Sequence, residues 1–236
     1  MNLLLLEHSD FIDEGVVELS GRRLKHMLKV QKISVGSVLK AGVLNGQTGA
    51  ATIVKILPNS VIAQVDLREK PLPILPLTII LALPRPKMLK RIIQTLATLG
   101  VKNIYLLSTW KVEKSYWQTS CLNESYIREQ LILGLEQGCD TLLPEVTIKK
   151  NFKPFVEDEL VDIAKNNYAL VAHPASSSPC PTGIDKPTIL AIGPEGGFTD
   201  YEIRKFTDVG FKSIHLGKRI QRVETIIPSL LARIFL

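Results

Sequence analysis

Two short segments near the carboxyl end concentrate the residues able to do chemistry. The first reads Ile192-Gly193-Pro194-Glu195-Gly196-Gly197-Phe198-Thr199. Its glycines leave backbone amides and carbonyls open to a small molecule, with no side chain intervening. The second reads Leu216-Gly217-Lys218-Arg219-Ile220-Gln221-Arg222-Val223-Glu224-Thr225. Two arginines and a glutamate at that spacing can bind a carboxylate, orient a base, or form a surface ion network. Neither segment is a dinucleotide fingerprint or a phosphate-binding loop: GxGxxG is absent, and no glycine is followed by Lys and then Ser or Thr. Gly-Pro and Gly-Gly are also ordinary turn formers, so the first octet on its own is equally compatible with a structural turn.

Local pattern places both segments at strand ends. Residues 188–192 form an apolar run of strand length. After the glycine-rich turn, Thr199 and Glu202 stand at capping-box spacing and predict a helix from Asp200. A strand at 212–216 then leads to a terminal helix from about Glu224. Upstream, an apolar strand at 77–83 precedes a helical pattern at Met88, Leu89, Ile92, Ile93, Leu96 and Leu99, closed by Gly100. A strand at 103–108, helices at 123–136 and 154–165, and a strand at 168–173 complete the series. Alternating β and α elements imply an α/β domain with a mostly parallel sheet, whose ligand loops lie at the carboxyl ends of its strands.

The chain before residue 71 has another texture. Short β-branched runs at 37–39, 51–57 and 61–67 are divided by Gly42, Gly46, Gly49, Pro58 and Asn59, with one helix near 21–30. This reads as a small β-barrel or sandwich. Pro71, Pro73 and Pro76 suit an extended connector. The expected division is therefore 1–70, a linker at 71–76, and 77–236.

Charge distribution points to a polyanionic partner. The formal charge is +6, and no acidic residue occurs from Leu19 to Val65 or from Lys70 to Val112. Such windows attract phosphates by releasing condensed counterions. A solvated basic face on an ordinary enzyme is the alternative that charge leaves open. Cys121, Cys139 and Cys180 are scattered without a CxxC pair, which argues against a zinc site or a disulfide framework. The apolar start at Leu3 to Leu6 is soon interrupted by Glu7, His8 and Asp10, which fits neither a membrane span nor a signal peptide; a cytosolic protein is expected.

Together, and about twenty residues apart, the two segments resemble the RsmE family of 16S ribosomal RNA uridine-N3 methyltransferases, members of the SPOUT class. The resemblance rests on Gly193-Pro194-Glu195-Gly196-Gly197, Glu202, Leu216-Gly217, Arg219-Ile220, Arg222 and Glu224-Thr225. It extends to His26, Lys29, Val30 and Lys32, to Glu136-Gln137 and to Pro144, and so covers essentially the whole chain.

The resemblance implies an amino-terminal PUA-like β-barrel that helps hold RNA and a carboxyl-terminal SPOUT domain tied in a trefoil knot. It also implies a homodimer, to which an apolar terminal helix bearing Ile226, Ile227, Leu230, Leu231, Ile234 and Phe235 would contribute; packing on its own core is the alternative. The cofactor implied is S-adenosyl-L-methionine, with no metal. Its pocket would comprise Ala172, His173 and Pro174, then Ile192, Gly193, Pro194, Glu195, Gly196 and Gly197, then Leu216, Gly217, Arg219, Ile220 and Arg222. Arg222 and Glu224 are the implied catalytic pair. Arg22, Arg23, Lys25, Lys29, Lys32, Arg85 and Lys87 are the candidates for holding ribosomal RNA.

The chain departs from the family pattern at Thr95, Thr98, Asp140 and Gln221, while Arg85 keeps the positive charge of a family lysine. The cofactor loops are thus intact and the substrate side has drifted. A paralogue acting on another RNA position, or an RNA-binding assembly protein with a vestigial cofactor site, would show the same asymmetry.

Overall fold

The computed structural model describes residues 2–235, which divide into two compact units. One comprises Met1–Pro73 and Leu131–Leu143, and the other Ile74–Gln130 and Pro144–Leu236.

The first unit is a curled six-stranded sheet. Its strands are β1 (Leu4–Leu6), β2 (Phe11–Asp13), β3 (Val16–Leu19), β4 (Val38–Val43), β5 (Thr48–Ile56) and β6 (Val61–Glu69), in the order β1-β4-β5-β6-β3-β2. All pairings are antiparallel except β1 with β4. The β5–β6 hairpin turns at Pro58-Asn59, closed by the Leu57 amide on the Ser60 carbonyl at 2.8 Å. Alternation along β6 sends Val61 and Ala63 inward, where they meet Leu4, Leu6, Val17, Leu19 and Ile53. Each leucine so buried contributes roughly 1.5–3 kcal/mol. The Leu3 to Leu6 run, assigned no element from sequence, is buried throughout and forms β1 over Leu4–Leu6. Helix α1 (Gly21–His26) continues through a wider turn, Met27–Gln31, and packs Leu24 and Met27 on the same core.

The second unit is built on an all-parallel sheet. Strands β7 (Leu77–Ala82), β8 (Asn103–Leu107), β9 (Glu145–Lys149), β10 (Tyr168–Ala172), β11 (Thr188–Ile192) and β12 (Lys212–Ile214) lie in the order β12-β10-β11-β7-β8-β9. β11 is wholly buried, which explains its unbroken apolar sequence. β9, at the sheet edge, was not anticipated; its Glu145 and Lys149 suit an unpaired edge.

The helices are α2 (Pro86–Thr98), α3 (Glu124–Gly138), α4 (Phe152–Pro154), α5 (Leu160–Ala164), α6 (Asp200–Asp208) and α7 (Val223–Phe235). The division between units falls inside α3. α2 starts with Pro86 in its first turn, buries Leu89, Ile92, Ile93, Leu96 and Ala97, and is followed by Gly100 at φ +83°. α7 buries Val223, Ile227, Leu230, Leu231 and Ile234 and packs against α2. The α/β fold with a parallel sheet is as the sequence predicts.

Candidate functional site

Strand order assembles the site. β10 lies between β12 and β11, so the loops leaving all three parallel strands emerge side by side at their carboxyl ends. Residues 172–174 leave β10, 192–197 leave β11, and 216–222 follow β12. Together they line one cavity of about 570 Å³, within the size range of small-molecule sites. Every position expected to bind a cofactor lines it. Arg222 does too, whereas Glu224 stands in the first turn of α7 outside the lining.

The glycine loop is narrow where it turns. A Cβ on Gly193 would lie 3.1 Å from the Phe198 amide nitrogen and 3.2 Å from the Phe198 ring. Gly197 adopts φ +69° and Gly217 φ +102°, left-handed conformations that disfavour a side chain. The Gly197 amide closes the loop on the Pro194 carbonyl at 2.8 Å. In the third loop, the Gly217 amide donates to His215 Nδ1 at 2.8 Å.

Residues distant in sequence brace this loop. Lys111 Nζ donates to the Gly196 carbonyl at 2.8 Å, and its stem lies over Gly196. Glu202 is 2% exposed. Its Oε2 accepts from the Thr199 amide at 2.7 Å and hydroxyl at 2.9 Å, and its Oε1 accepts the Trp110 amide at 2.7 Å. The capping box is therefore as expected, but the carboxylate also fastens a second loop. On the β10 side, the His173 amide donates to the Ile214 carbonyl at 2.8 Å, while its buried Nδ1 has no protein partner. Lys111, Phe198, Asp200 and His215 line the cavity without having been singled out. Only Phe198, within the glycine octet, carried a local signal.

The basic candidates divide by what they touch. In the first unit, Arg23 makes a bidentate pair with Asp10, both contacts at 2.6 Å, and also donates to the Leu5 carbonyl. Arg22 pairs bidentately with buried Glu136 at 2.7 and 2.9 Å. These guanidinium groups hold the fold together. Lys25, Lys29 and Lys32 are exposed. In the second unit Lys87 is exposed, and the Arg85 amide donates to Glu195 Oε1 at 3.3 Å, with its guanidinium 3.9 Å from that carboxylate.

The departures from the family pattern are of two kinds. Asp140 is buried and its Oδ1 accepts the Leu142 amide at 3.0 Å, and the Thr98 hydroxyl donates to the Gln94 carbonyl at 2.8 Å. Gln221, by contrast, lines the cavity. Among the described residues no group of three or more His, Cys, Asp or Glu could hold a metal ion, and no helix is long and apolar enough to cross a membrane.

Residues 70–234 match the profile of the RNA methyltransferase domain family. The chain belongs to that family. Its resemblance to the RsmE group is borne out by relatives in the same family. It is 29% identical over 232 residues to the ribosomal RNA small subunit methyltransferase E of Treponema pallidum, covering 95% of this chain and 87% of that one. It is 26% identical to methyltransferase E 1 of Borreliella burgdorferi, over 95% and 93% of the two chains. Among solved structures of the family's fold, methyltransferase E from Neisseria gonorrhoeae, bound to S-adenosyl methionine, superposes with a TM-score of 0.75 at 21% identity, over 98% and 95% of the chains. A Legionella pneumophila protein described as a methyltransferase, in complex with SAM, gives 0.72 at 25% identity over 97% and 95%.

Proposed function

We propose that this chain transfers a methyl group from S-adenosylmethionine to N3 of a uridine in 16S ribosomal RNA. The observation that carries the reading is the convergence of three strand-end loops on one glycine-floored cavity in a chain of the RNA methyltransferase family. The cavity fits the donor: bare backbone at Gly193, Gly196 and Gly197, a turn too tight for a Cβ at Gly193 against Phe198, and the unpartnered Nδ1 of His173. Its relatives' names and the SAM-bound neighbours support the same cofactor and RNA class.

When bound, S-adenosylmethionine supplies an electrophilic methyl carbon on a cationic sulfonium. The loops' part is positioning, which lowers the entropic cost of bringing donor and base together. Uracil N3 is a poor nucleophile while protonated, and ring charge must be stabilised as the proton leaves. Arg222, on the lining, steadies that negative charge. Glu224, two residues on and outside the lining, orients Arg222 or takes up the N3 proton through an intervening water, so that the proton displaced by the methyl group has an acceptor. A base within reach must be unstacked, so the target lies in a single-stranded or splayed part of the RNA.

On the same reading, residues 1–70 form a PUA-like RNA-holding domain, 71–76 a linker, and 77–236 a knotted SPOUT domain that works as a homodimer in the cytoplasm. Exposed Lys25, Lys29 and Lys32 of the first unit contact phosphate with Arg22 and Arg23 beside them, and in the second unit exposed Lys87 does so beside Arg85.

The test is calorimetry with S-adenosylmethionine, then labelled methyl transfer to small subunits from a strain lacking the protein, with the methylated uridine mapped. Arg222→Ala should abolish transfer and leave donor affinity within about threefold, since the loops hold the donor through backbone. Full activity in that variant removes Arg222 from the mechanism. Donor binding without transfer by the wild-type chain would instead mark an RNA-binding protein with a vestigial site.

A further inference from the structure

Trp110 is 85% exposed. A side chain of this size normally buries most of its surface, so a tryptophan this exposed offers a large aromatic face to a partner. Its backbone is anything but loose. Thr109 and Val112 are buried and close a tight turn through the Val112 amide and Thr109 carbonyl at 3.1 Å, which leaves Trp110 and Lys111 at the tip. Both tip residues are fastened to the glycine-loop region: the Trp110 amide to buried Glu202, and the Lys111 ammonium to the Gly196 carbonyl. The turn thus presents a bare indole one residue from a cavity-lining side chain.

We propose that Trp110 is a stacking platform for an unpaired base of the RNA substrate. The inference rests on the RNA methyltransferase reading and adds to it the residue that receives the nucleotide beside the donor cavity. Aromatic faces next to cationic groups are how proteins hold single-stranded nucleic acid, the ring taking a base and the cations the backbone. Here the cations of the same segment are Lys111 and Lys114, both exposed; the intervening Glu113 accepts a hydrogen bond from the Tyr116 hydroxyl at 3.0 Å. Trp110 also closes a window, Lys70 to Val112, that contains no acidic residue. That charge favours RNA over a second copy of this basic chain as the occupant. Anchoring at both tip residues keeps the ring in place before RNA arrives, which reduces the ordering cost of binding.

The chain has two tryptophans, and the buried indole nitrogen of Trp117 lacks a partner, so Trp117→Phe isolates Trp110 as the fluorophore at little structural cost. Titration of that variant with a single-stranded oligouridylate of about ten nucleotides should quench its emission. In the otherwise native chain, Trp110→Ala should weaken oligonucleotide binding about tenfold and raise the KM for small-subunit RNA similarly, with kcat nearly unchanged. Trp110→Phe should stay within about threefold of wild type, and Trp110→Lys should resemble alanine, because the ring is what matters. Donor affinity should be the same in all. The inference is overturned if RNA leaves Trp110 emission unchanged, if alanine binds RNA as wild type does, or if sedimentation shows Trp110→Ala splitting a dimer, which would make the ring a contact between copies. If wild type neither binds the donor nor transfers methyl, the functional reading falls, and the quenching still reports whether Trp110 stacks on RNA.

Discussion

Glu202 and Trp110 are 92 residues apart in sequence, yet the Glu202 carboxylate accepts the Trp110 backbone amide at 2.7 Å. The other oxygen of the same carboxylate caps α6 through Thr199. One buried acid therefore sets where the glycine loop ends and where the 109–112 turn sits, so a helix cap has become a structural link between two loops.

Removing that acid should show in both folding and binding. Glu202→Ala leaves three part-buried donors without their acceptor and is expected to cost about 1–3 kcal/mol in urea unfolding. Glu202→Gln keeps the shape but turns an amide NH2 toward one set of donors, and should cost about 1–2 kcal/mol. Donor affinity should fall in both; wild-type stability in the alanine variant would show that the link carries no load.

The glycines should not be equivalent. At Gly193 an added methyl meets the backbone nitrogen of Phe198, which cannot move without opening the loop. At Gly196 it meets only the flexible stem of Lys111. Gly193→Ala should weaken donor binding at least tenfold, while Gly196→Ala stays within a few-fold. Gly197→Ala, forced to a positive φ, should lose about 1–2 kcal/mol of stability. Calorimetry and thermal melting on the three variants separate these effects.

The basic residues of the first unit should split into two classes. Arg23→Ala abandons the nearly buried carboxylate of Asp10 and should destabilise the fold by roughly 2–4 kcal/mol. Replacing Lys25, Lys29 and Lys32 together should leave stability within about 1 kcal/mol and lower RNA affinity instead. The salt dependence of binding should then flatten by about 0.7 in log–log slope for each lost contact to single-stranded RNA. An unchanged slope would take the three lysines out of the RNA interface.

One ion pair gives a pH signature. A hydrogen bond from Lys205 to Glu157, at 2.7 Å, holds the glutamate carboxyl below its ordinary value and raises the lysine ammonium above its own. The glutamate's contribution to stability is therefore present above the unfolded carboxyl value, near pH 4, and lost as pH falls through the lowered folded value. The lysine's contribution persists to high pH and is lost as pH rises through its raised value. Melting temperatures of wild type and Glu157→Gln should differ at neutral pH and converge in acid; a difference that persists at pH 2 would assign the effect to something other than this charge.

Much of the second unit is legible in the sequence. β11 shows as an unbroken apolar run, α2 as a 3.6-residue periodicity ended by Gly100, and α6 as a Thr-x-x-Glu start, because each signal lies within a dozen neighbouring residues. The motif residues 192–197 and 216–222 were readable for the same reason. β1 and β9 leave no local signal: three leucines are too short to show alternation, and an edge strand's mixed exposure resembles a loop. The partners of Arg22 and Arg23 were equally hidden, since charge counted along a chain does not say which cations a carboxylate has claimed.

What the residues determined by themselves is local: element types, their caps, and which turns are free of side chains. What only the tertiary structure decided is adjacency. The order β12-β10-β11, set by hydrogen bonds between segments that local pattern cannot pair, brings three separate loops to one rim. The continuation of that order, β11-β7-β8, brings Lys111 to the glycine loop and the Trp110 amide to Glu202, both more than eighty residues away. Periodicity records which face of a strand is buried, but the choice of neighbouring strand is made by the packing of the whole sheet.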